Sequence, residues 1–235
     1  MTSRTTRLVR RVAALAAIAA SLLIGSQHLT AQQAPAAATA DRWEPTIAGF
    51  EEQDRLHPPP TDAIVFVGAS SIVRWNLPES FPELGAKVIN RGFGGSLIAD
   101  SVKYADRIVI PYKPRIVVLY AGDNDVAANA TDDEISNQFA AFDQKVHAAL
   151  PDATIIFISI KPSIRRWQWI DTIRAVNARI KDYTTKHPHL VYVDIEHQML
   201  GADGKPNPDL LVADGLHMTS VGYQIWNAAL GPLVK

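Results

Sequence analysis

The sequence predicts an α/β domain in which a parallel sheet of five strands lies between layers of helix. Short apolar segments rich in β-branched residues alternate along the chain with amphipathic segments of helical period. Two of the apolar segments, Ile116-Val117-Val118-Leu119 and Ile155-Ile156-Phe157-Ile158, are hydrophobic without interruption, as strands covered on both faces are. Such a βαβα alternation implies right-handed crossovers and a parallel sheet. Ligands of open α/β sheets bind outside the carboxyl ends of the strands, so residues that carry chemistry are expected just after each strand.

The elements follow in order. Arg4, Arg7, Arg10 and Arg11 precede an apolar run over residues 12–24, which gives way to small and polar residues. This order of charge and then apolar residues is that of a signal peptide, read here as residues 1–31 with cleavage after Ala31. The apolar run is shorter than the roughly 20 residues that span a bilayer. An exported protein, periplasmic or extracellular, with no stable membrane anchor after processing is therefore expected. Residues 32–42, rich in Ala and Gln, read as a flexible linker, and residues 43–235 as the folded domain. Trp43, Ile47, Phe50 and Leu56 recur at near-helical spacing and predict a helix over 43–56, stopped by Pro58-Pro59-Pro60. Strands are predicted at 63–69, 87–90, 115–121, 154–160 and 190–194. The helical patterns between and after them cover 96–110, 132–150, 167–187 and 220–230.

Composition narrows the function. The 235 residues, 47% hydrophobic and 20% charged, suit one globular domain with an appendage. Lys and Arg number 23 against 24 Asp and Glu, a net charge of -1, so nothing global attracts nucleic acid. The absence of Cys excludes disulfides, a thiolate nucleophile and thiolate metal sites.

Four stretches at the predicted strand ends carry the chemistry. In Phe66-Val67-Gly68-Ala69-Ser70-Ser71-Ile72 an apolar strand stops at a small residue and two hydroxyls. Ser70 there is either a nucleophile or a cap for the next helix. Asn90-Arg91-Gly92-Phe93-Gly94-Gly95 follows the second strand. It fails the dinucleotide-binding fingerprint, because a G-x-G-x-x-G beginning at Gly92 meets Leu97, and because it follows the second strand rather than the first. A tight turn with a free backbone donor fits better. Gly122-Asp123-Asn124-Asp125 follows the third strand; its Asx residues are turn formers or a helix cap. The Asn124 amide is also well placed to meet a developing oxyanion together with a backbone N–H from the glycine loop.

Asp214-Gly215-Leu216-His217 precedes the last helix. A three-residue offset on one loop lets the carboxylate hold one imidazole nitrogen and leaves the other to face a nucleophile. A metal site from Asp209, Asp214 and His217 is the weaker reading, since no second His stands at ligand spacing. Trp167 and Trp169 offer surfaces for a sugar ring or an acyl chain, or simply begin a helix and pack.

Ser70, Gly95, Asn124 within Gly122-x-Asn124-Asp125, and the closing Asp214-x-x-His217 resemble the four blocks of the SGNH hydrolases, the GDSL-type esterases and acylhydrolases. The resemblance runs in order from about residue 60 to 230. It implies a flavodoxin-like three-layer fold and no cofactor. It also implies Ser70 as nucleophile, Asp214 and His217 completing a triad, and Ser70 N–H, Gly95 N–H and the Asn124 side chain as oxyanion hole. The family's Gly-Asp-Ser-Leu reads here as Gly68-Ala69-Ser70-Ser71, with Ser71 as the reserve candidate. The expected activity is hydrolysis of carboxylic esters with short acyl groups, the ester being a small molecule or carried by a glycan or lipid-derived group. An acyltransferase that moves an acetyl group to or from a glycan is the alternative within enzymes. A catalytically silent carbohydrate-binding module is the alternative outside them.

Overall fold

Five strands, β1 (Ile64–Gly68), β2 (Val88–Gly92), β3 (Ile116–Tyr120), β4 (Thr154–Ile158) and β5 (Leu190–Val193), form one all-parallel sheet in the order β2-β1-β3-β4-β5. This computed structural model describes residues 41–235, and the sheet belongs to one unit, Arg42–Lys235. The expected signal peptide, and linker residues 32–40, lie outside the described residues.

The strand order is the flavodoxin-like one, and it sets where a site can form. From β1 the chain first builds β2 on one side and then β3 on the other, so β1 lies at the topological switch point. Gly68 at the end of β1 is level with Gly92 of β2 and with Tyr120 of β3. The segments that follow these three strands therefore emerge side by side.

Alternation along the strands divides the core in two. Val65, Val67, Val117, Leu119, Ile155 and Phe157 point to one face. They meet α1 (Glu44–Leu56), α4 (Ile98–Ile108), α6 (Asp132–Ala149) and α7 (Ile170–Lys186), through Ile47, Tyr104, Phe139 and Val176 among others. Ile64, Phe66, Ile116, Val118, Tyr120 and Ile156 point to the other face. There they meet Ile72 of α2 (Ser70–Val73), Leu77 of α3 (Leu77–Ser80) and Trp226 and Leu230 of α8 (Ser220–Leu230). A short α5 (Asp123–Ala127) follows β3. Burial of each such aliphatic or aromatic side chain stabilises the fold by about 2 kcal/mol, so both faces of the sheet are needed. Among the described residues no helix is long and apolar enough to cross a membrane.

Most boundaries fall within two residues of the expected ones, and two of the shifts have a physical reason. The helix expected over 167–187 begins only at Ile170. Residues Ile164–Trp169 form a 3-10 turn, closed by the Arg166 N–H on the Ser163 carbonyl (3.2 Å) and tied outward by the Arg165 N–H on the Gly215 carbonyl (2.9 Å). The fourth strand stops at Ile158, because Asn177 of α7 takes both backbone groups of Ile160. Its Oδ1 accepts from the Ile160 N–H (2.8 Å) and its Nδ2 donates to the Ile160 carbonyl (3.0 Å).

Candidate active site

Ser70 is presented by a turn that only glycine permits. Gly68 has φ +131, and a Cβ there would lie 1.9 Å from the Tyr120 carbonyl oxygen of β3. The chain can turn sharply out of the sheet only without that atom. Ala69 then donates its N–H to the same carbonyl (2.9 Å), and Ser70 opens α2. As the first helical residue, Ser70 has no intrahelical acceptor for its own N–H. Ser71, one position on, is 1% exposed, and its carbonyl accepts from the Tyr223 hydroxyl (2.7 Å). The structure thus turns Ser70 outward and Ser71 into the core.

Two loops close around Ser70 from the neighbouring strands. After β2, Phe93 N–H bonds the Gly68 carbonyl (2.8 Å), which pulls the glycine loop against β1. A Cβ on Gly94 would stand 3.8 Å from the Ser70 Cβ, and Gly95 takes φ +81. After β3, the Asn124 Nδ2 donates to the Ser96 carbonyl (3.1 Å), joining the two loops. Asp125 caps α4 by accepting from the Ile98 N–H (3.1 Å). It is 3% exposed, and burial, opposed by bonds from the Ile98 N–H and its own, pushes its carboxyl up to about 6.

The loop before α8 brings the remaining two groups. Val212 N–H bonds the His217 carbonyl (2.8 Å) and Gly215 N–H that of Val212 (2.9 Å), so residues 212–217 form a tight hairpin-like turn. Asp214 Oδ1 accepts from the backbone N–H of Leu216 (2.8 Å) and of His217 (2.9 Å), while Oδ2 stands 2.6 Å from His217 Nδ1. Burial acts to raise the Asp214 carboxyl. The bonds from the His217 ring and from the two backbone groups outweigh it and hold the carboxyl well below the usual carboxylate range. An ionised Asp214 only accepts, so the proton sits on Nδ1 and leaves the Nε2 lone pair open. His217 Nε2 is 2.9 Å from Ser70 Oγ. The carboxylate, imidazole and hydroxyl thereby form one unbroken hydrogen-bonded chain.

Both Asp214 oxygens are committed within its own loop, and among the described residues no group of three or more His, Cys, Asp or Glu could hold a metal ion. Trp169 packs partly buried on the core, and the Trp167 ring lies 5.9 Å from the Arg174 guanidinium. Arg166 of the same turn bonds Asn124, its Nη2 donating to Asn124 Oδ1 (3.3 Å). Lys161, fully buried, is a second group the sequence reading passed over. Its Nζ lies 3.1 Å from the Tyr120 hydroxyl and 3.4 Å from Asp123 Oδ2. Burial lowers its pKa while Asp123 opposes that fall. A lysine closing the apolar stretch 154–160 is the signal that could have marked it.

The arrangement defines a class first: a flavodoxin-like α/β protein with hydroxyl, imidazole and carboxylate joined at the carboxyl ends of its strands. The chain belongs to the GDSL-like Lipase/Acylhydrolase family, whose sequence model matches residues 68–225, a span that holds all five of Ser70, Gly95, Asn124, Asp214 and His217. Solved structures share the fold. A Streptococcus pneumonia protein provisionally named a platelet activating factor superposes with a TM-score of 0.73 at 20% identity, covering 82% of this chain and 92% of its own. A GDSL-like lipase from Bacteroides thetaiotaomicron does so with 0.69 at 24% identity, covering 80% and 96%. An acetylxylan esterase from Geobacillus stearothermophilus gives 0.61 at 17% identity, covering 75% and 95%. A search of curated proteins by sequence finds no significant match.

Proposed function

We propose that this family member is an exported serine esterase that cleaves carboxylic esters through an acyl-serine intermediate. The observation that carries the reading is the 2.9 Å approach of His217 Nε2 to Ser70 Oγ, with Asp214 on the far nitrogen. His217 takes the hydroxyl proton as Ser70 Oγ bonds to the ester carbonyl carbon, and the displaced electron pair moves onto the carbonyl oxygen. The backbone N–H groups of Ser70 and Gly95 and the Asn124 amide meet that charge. Collapse breaks the ester C–O bond, and the departing alcohol takes the proton from His217. Water, giving its proton to His217, then attacks the acyl-serine; the acid leaves and Ser70 recovers its proton.

Short acyl groups on a polar carrier are the proposed substrates. The acetylxylan esterase among the structural neighbours makes acetylated glycans the first carrier to try. The test is a panel of aryl acetate, butyrate and longer esters beside acetylated xylan, with wild type and His217→Ala. Hydrolysis that is fastest for the short esters and is lost in His217→Ala is expected. Full activity in the variant would reject the reading. Export rests on residues 1–31, and a shortened chain found outside the cytoplasm of expressing cells is its expected outcome.

A further inference from the structure

An asparagine amide has two orientations of nearly the same shape, and only one of them presents an N–H where a carbonyl oxygen would be. At Asn124 both ends of the amide are engaged. Nδ2 donates one hydrogen to the Ser96 carbonyl (3.1 Å), and Oδ1 accepts from Arg166 Nη2 (3.3 Å). The second Nδ2 hydrogen is left over. Turned by half a rotation, the amide would set its oxygen against the Ser96 carbonyl and its NH2 against a guanidinium, which has donors only. Both contacts would then be repulsive.

We propose that Arg166 is a positioning residue for the reaction: it fixes and polarises the Asn124 amide so that the free Nδ2–H points at the developing oxyanion. This rests on the reading of Asn124 as an oxyanion donor. Three observations support the assignment. The Arg166 backbone is anchored, its N–H to the Ser163 carbonyl and that of Arg165 to the Gly215 carbonyl beside Asp214, so one short turn braces both sides of the site. The guanidinium lies 5.7 Å from the Trp169 ring, which limits its swing. Among the described residues its Nε is buried without a hydrogen-bond partner, so the bond to Asn124 Oδ1 is what ties the guanidinium down. The 3.3 Å separation is at the long end for such a bond. It is expected to shorten when charge gathers on the oxyanion, because an amide whose N–H is drawn toward an anion becomes a better acceptor at its oxygen.

A double-mutant cycle tests this, with kcat and KM for an aryl acetate measured separately for wild type, Asn124→Ala, Arg166→Met and the double variant. Arg166→Met is expected to lower kcat about ten- to a hundredfold with KM little changed, and Arg166→Lys to recover part of the loss. In the Asn124→Ala background the same change is expected to have almost no effect. An undiminished effect in that background, or one confined to KM, would mean that Arg166 acts on the substrate directly and would overturn the proposal. So would a folded Arg166→Met with wild-type kcat. Should Arg166→Met not fold, Arg166→Gln takes its place under the same criteria. If Asn124→Ala alone keeps full activity, what fails is the oxyanion reading beneath the proposal, an outcome distinct from an inert Arg166.

Discussion

His217 follows Ser70 by 147 positions in the chain, yet its Nε2 stands 2.9 Å from the Ser70 hydroxyl oxygen. The approach is the product of the whole topology. Ser70 sits at the end of the strand where the sheet order switches, and His217 sits on the loop that leads into the last helix, which packs on the same face of the sheet as α2. Beside it the Tyr223 hydroxyl of α8 bonds the Ser71 carbonyl (2.7 Å), so the contact reports on the assembled domain.

Asp214→Asn should keep the loop and lose the chemistry. An amide can still accept from the Leu216 and His217 N–H groups through its oxygen, but the group it then offers His217 Nδ1 is an NH2, which favours the wrong tautomer. A fall in kcat of about a thousandfold or more is expected, with an unchanged melting temperature. Near wild-type kcat would show that His217 does not need Asp214.

Gly68→Ala probes the turn that exposes Ser70. The new Cβ would lie 1.9 Å from the Tyr120 carbonyl oxygen at a backbone φ of +131, and neither strand can retreat without breaking ladder bonds. The expected loss is more than about 2 kcal/mol, read as a drop in melting temperature of roughly 4 °C or more. A variant as stable as wild type would contradict the described turn.

Asp125 predicts a pH dependence of stability. Its carboxyl is pushed up to about 6 in the folded chain, from an ordinary 3.8. Between these values the folded state holds the proton more tightly than the unfolded one, so this group's contribution is full below about pH 4 and is lost as pH rises through 6. The difference amounts to about 3 kcal/mol across the window. Asp125→Asn keeps the acceptor for the Ile98 N–H and removes the titration. Stability measured against pH from 4 to 7 should therefore fall less for the variant than for wild type, and parallel curves would contradict the burial effect.

The sheet was legible because its strands are written as uninterrupted apolar runs such as Ile116-Val117-Val118-Leu119, and the last helix because its start and end match the pattern over 220–230. The positions of Ser70, Asn124 and His217 at strand ends and on the last loop could be read from the same alternation. What could not be read is the partnering of side chains across the sheet. Arg166 lies 42 positions from Asn124, and Lys161 lies 41 from Tyr120, and a helical period that runs on through Trp167 hides the turn that separates them from the helix.

The assignment of Ser70, rather than Ser71 beside it, as the nucleophile is the proposal on which the reaction rests. Its most direct measurement is the mass-spectrometric location of a fluorophosphonate adduct on wild type and on Ser70→Ala and Ser71→Ala. One adduct is expected, on Ser70, present in Ser71→Ala and absent from Ser70→Ala. An adduct carried by Ser71, or labelling that survives in Ser70→Ala, would contradict it.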